Sequence, residues 1–159
     1  CFRRSRASRR GWLRRSVGRW NVLLDDIADL ISSGGIGTVG STSAYGIYKG
    51  LLPDAPNAAV AVYETGGLEP YRKMHSTAGA VVAERPRIQV VVRSTAYSTG
   101  RQKANDAWKL LEGLPERTVN GTRYLYAAAV QAPFPIGRDA NDRILIACNF
   151  DVVKALSTA

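Results

Sequence analysis

The sequence is poor in the residues that carry out chemistry. Its 159 residues include one histidine, His75, and two cysteines, Cys1 and Cys148. Serine or cysteine catalysis needs a base beside the nucleophile. No Ser or Cys motif surrounds His75, which reads as a solvated loop residue. Two lone cysteines supply no ligand pairs, so a zinc site is excluded. One lies in an arginine-rich arm and the other in an apolar strand. A disulfide is therefore not expected, and Cys148 reads as a small buried hydrophobe. Convincing carboxylate pairs are missing too, because a fully extended strand would hold Asp54 and Glu64 roughly 30 Å apart. No apolar run approaches the roughly 20 residues of a membrane span. The arm lacks the apolar centre of a secretory signal, although its Arg and Ser content resembles a transit peptide. Assembly inside the cell is expected. The first residue is Cys1 rather than Met, which suits a chain processed, trimmed or begun upstream of the usual start. No catalytic residue, cofactor or metal is expected, and the chain does not read as an enzyme.

What is present is a basic arm on a nearly neutral body. Arg3, Arg4, Arg6, Arg9, Arg10, Arg14, Arg15 and Arg19 supply eight of the 22 basic residues before the first acid, Asp25. The other 14 face 13 acids, so most of the formal charge of +9 belongs to residues 1–19. Residues 20–159 are expected to form one domain. With 45% apolar residues, the chain is long enough to bury a core. The eight guanidiniums could neutralise phosphates, with Trp12 and Trp20 stacking on bases or on protein. A nucleic-acid contact through the arm is therefore one functional reading. Docking of the arm on an acidic partner, or its being translated upstream of the true start, is the other.

Periodicity predicts the elements. Trp12, Leu13, Val17, Trp20, Leu23, Leu24, Ile27 and Ile31 mark a helix over about 12–32, stopped at Gly34 and Gly35. Asp25, Asp26 and Asp29 lie off this stripe and read as a solvated face. Residues 35–40 spell G-x-G-x-x-G but follow a helix and open a loop, whereas a dinucleotide site follows a strand and opens a helix. They read as a connector needing positive φ. Residues 45–52 read as a short strand or an extended segment and 58–64 as a buried strand. Residues 68–84 show mixed charge and no period, and read as a long loop that is either functional or poorly ordered; as a functional loop it would make subunit or tube contacts through Tyr71, Arg72, Lys73 and His75. A strand over 87–94 begins after Pro86. A helix capped by Ser98 or Thr99 runs to about Glu112, and strands follow over 123–131 and 143–153. Asn120-Gly121-Thr122 reads as a turn rather than a glycosylation site. The order predicts an α+β fold, a mainly antiparallel sheet of four to five strands packed against two or more helices.

Leu52-Pro53-Asp54-Ala55-Pro56, the apolar strand ending Tyr63-Glu64-Thr65-Gly66-Gly67, the run Pro86-Arg87-Ile88-Gln89-Val90-Val91-Val92-Arg93 and the Lys103-Ala104 helix together resemble tail terminator (minor capsid) proteins of long-tailed bacteriophages. The resemblance spans roughly residues 20–156 and leaves the arm outside. It implies a structural virion protein that forms a six-membered ring, caps the tail tube, ends its polymerisation and meets the head connector or stopper protein at the head-tail junction. The implied partners are further copies of itself, the major tail protein, the connector and genomic DNA passing through the lumen, with no cofactor and no membrane. Closed cyclic symmetry would limit such assembly to one ring.

Overall fold

The computed structural model describes residues 23–74 and 81–156. Two helices, α1 (Leu23–Ser33) and α2 (Tyr97–Leu111), pack on a single sheet. Its strands are β1 (Thr38–Val39), β2 (Gly46–Lys49), β3 (Ala59–Arg72), β4 (Val81–Ser94), β5 (Arg117–Val119), β6 (Thr122–Ala129), β7 (Phe134–Arg138) and β8 (Ile144–Ala155). They lie in the order β1-β2-β3-β4-β8-β6-β5, with β7 also paired to β8. The β1–β2 and β2–β3 pairs are parallel and the rest are antiparallel.

This corrects the expected fold class. The described chain is mostly β, an eight-stranded mixed sheet curled into a half-barrel, not four to five antiparallel strands. Two causes are visible. β1, β5 and β7 are short, and β7 contains Pro135, which reads as a breaker but is tolerated beside an edge. The segment 68–84 is mainly strand: β3 runs on to Arg72 and β4 begins at Val81.

The central strands carry strict alternation. Val60, Val62, Ile88, Val90, Val92, Ile146, Cys148, Phe150 and Val152 point to the helices and are almost fully buried. Against them α1 places Leu23, Ile27, Leu30 and Ile31, and α2 places Ala104, Ala107 and Leu111. A side chain of this kind contributes about 1.5–3 kcal/mol when buried, so this one layer supplies most of the apolar driving force. The opposite face carries a row across five strands, Tyr48–Ala61–Val91–Ala147–Phe134. Its central residues are small and its ends aromatic.

The predicted stripe of α1 is confirmed from Leu23 onward, and its stretch over 12–22 lies outside the described residues. Asp26 departs from the expected solvated face. It is 1% exposed, accepting from the buried Tyr124 hydroxyl and from Asn120 Nδ2 at 2.9 Å. Burial and the hydrogen bond to Asp26 push the Tyr124 phenol well above its ordinary range. Asp25 pairs with Lys49, and Asp29 accepts from Asn120. These aspartates are tied to distant parts of the sheet. At α2 the N-cap is Ala96 without a side-chain bond, not Ser98 or Thr99.

The G-x-G-x-x-G run has the expected positive φ but also contains the two-residue strand β1, paired with β2. Gly35 and Gly40 have φ of 73° and 71°, and a Cβ on Gly37 would lie 2.1 Å from the Tyr45 carbonyl oxygen. Asn120 and Gly121, both with positive φ, form the two-residue β5–β6 turn.

Candidate functional site

The stretch from Leu52 to Gly67 is held at both ends by features that the sequence does not reveal. At its start, two arginines of the sheet grip the loop before β3. Arg93 and Arg143 are 3% and 5% exposed. Arg93 Nη2 donates to the carbonyls of Asp54 and Pro56. Arg143 donates through Nη1 to the Asp54 carbonyl, through Nη2 to Asp54 Oδ1 at 2.8 Å, and through Nε to Asp139 Oδ2 at 2.7 Å. Asn141 adds a bond to Asp54 at 3.0 Å. Burial and the neighbouring Arg143 lower the Arg93 pKa from its ordinary value. For Arg143, burial works in the same direction but is outweighed by the bonds to Asp54 and Asp139, which raise its pKa. Buried guanidiniums need such partners. Here they fasten the 54–57 loop to the 139–142 turn.

At its other end, Thr65-Gly66-Gly67 does not close the strand. The β3–β4 register shifts between Glu64 and Gly67, and Gly66 has φ of 101°, so the glycines form a bulge inside a 14-residue strand. A Cβ on Gly67 would come within 2.5 Å of the Arg85 carbonyl oxygen. Opposite lies Pro86, inside β4 rather than at its start. Having no N–H, it cannot donate to the ladder. The β4–β8 pairing passes from Glu84–Lys154 to Arg87–Asp151, with Arg85 and Pro86 unpaired between them.

Beyond this kink the two strands continue as an arm. Ala59 to Val62 are fully buried, whereas Glu64 to Glu69 are all exposed. Two further register shifts follow at Leu68–Tyr71 and Tyr71–Arg72. β2 covers β3 only as far as Val62, so the β3 edge from Tyr63 outward has no strand beside it among the described residues. The arm is moored to the body by the Glu84–Lys154 pair at 2.8 Å and by the Leu156 amide on the Val82 carbonyl. Beside the kink, an open groove is lined by Gly66, Gly67, Leu68, Pro70, Glu84 and Arg85.

Of the residues expected to make contacts, Tyr71 and Arg72 lie on the outer half of β3 and Lys73 just past its end. Tyr71 is 44% exposed, with the Arg85 guanidinium 4.7 Å from its ring centre. His75 and the eight arginines of residues 1–19 lie outside the described residues. No cluster able to hold a metal occurs among the described residues. Cys148 is fully buried and its thiol is pushed up to about 12 by that burial, so it behaves as a core hydrophobe.

The described residues thus form a curled mixed sheet with two helices on one face, a long β3–β4 extension whose β3 edge is open, and a buried arginine clamp. The chain belongs to the bacteriophage tail terminator protein family, whose profile matches residues 30–155. It is thus a structural component of a phage-type tail. The same fold occurs in a chain of the virion of a native gene transfer agent (GTA) particle, at 13% identity and a TM-score of 0.55, covering 89% of this chain and 100% of that one. A second solved chain aligns over 80% of this one and 88% of its own length, at 17% identity and a TM-score of 0.47. No curated protein matches it significantly in sequence.

Proposed function

We propose that this chain forms a closed ring of identical subunits, six in number, that seats on the end of the tail tube, ends its polymerisation and presents its far side to the head connector or stopper protein. Membership of the tail terminator family carries this reading. The physical build supports it, because an arm projecting from a well-packed body offers contact surface without loosening the core. Closed cyclic symmetry consumes the interface of each subunit on its neighbour and so limits growth. The protein then lies at the head-tail junction and meets the major tail protein on one side. Genomic DNA passes through the lumen. Native mass spectrometry of the purified chain tests the ring, and immunogold labelling of particles tests its place. A monomer at micromolar concentration, or label along the tube, would count against it.

One feature favours a second role. The eight arginines of residues 1–19 suit contact with DNA, as an arm attached to the domain formed by residues 20–159. Affinity for duplex DNA that falls steeply between low and moderate salt, and is lost on deleting residues 1–19, is the expected behaviour. Salt-insensitive binding would argue for a protein partner instead.

A further inference from the structure

Leu68, Tyr71 and Arg85 lie together on the arm, and Tyr126 lies two strands away on the same helix-free face of the sheet. Leu68 pairs with Arg85, whose guanidinium covers the Tyr71 ring. Strand alternation puts Arg85 on the face of Arg87 and Val153 on the face of Asp151. Arg87 and Asp151 are themselves partners, through bonds of 2.7 and 3.1 Å. Tyr126 pairs with Val153 and so extends the same row onto β6. Leu68, Tyr71 and Tyr126 are 43%, 44% and 42% exposed. Tyrosine and arginine around a small apolar centre is the composition of an interface hot spot.

The charges on the arm indicate what covers this row. Arg72 and Arg85 make no ion pair among the described residues, and neither do Glu64 and Glu69. Both signs are therefore left over on one arm. A nucleic acid would want one sign only, whereas a second copy of the same chain brings matching charges of both signs.

Backbone pairing is the less suitable mode of attachment. The open β3 edge carries Pro70, the charged Glu64 and Glu69, and repeated register shifts. These devices discourage strand addition.

We propose that the Leu68–Tyr71–Arg85–Tyr126 row of one subunit seats a second copy of this chain by side-chain contact, with Arg85 facing Glu64 and Glu69 on the β3 edge of that copy. This rests on the ring reading above and names its interface. The contact is heterologous, two different patches meeting head to tail, which is the kind that closes into rings.

The test uses the full chain and native mass spectrometry with circular dichroism as a folding control. Arg85→Glu and Tyr71→Asp are each expected to abolish the ring-sized species while leaving the melting curve in place. Adding Glu64→Arg and Glu69→Arg to Arg85→Glu is expected to restore it. Rings that persist in both single variants would overturn this interface and leave the ring reading standing. Variants that form rings but no longer stop tube growth would also overturn it, assigning the row to the tube. A wild-type chain that never forms a ring would remove both.

Discussion

Arg143 reaches Asp54 across 89 positions of the chain, its Nη2 donating to Oδ1 at 2.8 Å, while its Nε holds Asp139. Arg93 joins it from the neighbouring strand and bonds the Asp54 and Pro56 carbonyls. The clamp gives the Leu-Pro-Asp-Ala-Pro stretch a purpose, since it brings the chain into β3 at a fixed place. Replacing Arg93 by Ala leaves these carbonyls and the Asp139 carboxylate short of a partner. A loss of about 3 kcal/mol is expected, measured as a shift in the urea midpoint at unchanged slope.

The clamp also sets an acid limit. Burial alone would raise the Asp139 pKa, but bonds from the Arg143 and Asn141 amides and from the Arg143 side chain hold it below its ordinary value of 3.8. The native state then binds fewer protons than the unfolded chain in acid. This contribution is fully present above the ordinary value and is lost as pH falls through the lower, native one. Asp139→Asn is expected to flatten the fall of stability below about pH 4. An unchanged acid limb in denaturation at several pH values would contradict this.

The Asp26–Tyr124 bond joins helix to sheet. Tyr124→Phe keeps the ring and removes the donor, leaving a buried carboxylate with fewer partners. A cost of about 1–3 kcal/mol is expected, which in a domain of this size lowers the melting temperature by about 2–4 °C per kcal/mol. Calorimetry measures it directly.

At the kink, Gly67→Ala forces backbone to shift, because its Cβ would meet the Arg85 carbonyl oxygen at 2.5 Å. Hydrogen exchange should quicken across residues 64–72 and 81–86 while Val60, Val90 and Ile146 keep their protection. Uniform loosening of the whole sheet would mean that the arm is not a separate unit.

Much of the body is legible in the sequence. Residues 87–94 and 143–153 alternate with period 2 because one face lies on the helices, and the buried Ala104, Ala107 and Leu111 of α2 fall at helical spacing. The arm is not legible for the same reason inverted: neither face of β3 beyond Glu64 lies on the core, so no alternation is selected and the segment reads as loop. The Thr65-Gly66-Gly67 run looks like an end, whereas it bends a strand that continues. Asp26 looks solvated because its partners, Tyr124 and Asn120, are more than 90 positions away. The arginine clamp escapes notice similarly, since Arg93 ends an apolar run and Arg143 begins one, and neither signals a partner.

Edge protection gives a further expectation. Glu69→Val with Pro70→Val removes a charge and restores an amide donor on the open β3 edge. Concentration-dependent light scattering should rise relative to wild type, and thioflavin fluorescence should report added strand pairing. Identical scattering would show that the register shifts alone guard this edge.

The account rests on the chain ending tail growth, and the most direct measurement is the length distribution of tails assembled without it. Electron micrographs of particles from a deletion of this gene are predicted to show tubes of uncontrolled length separated from heads, with normal tails restored when the full chain is supplied. Tails of normal length joined to filled heads in the deletion would contradict the account.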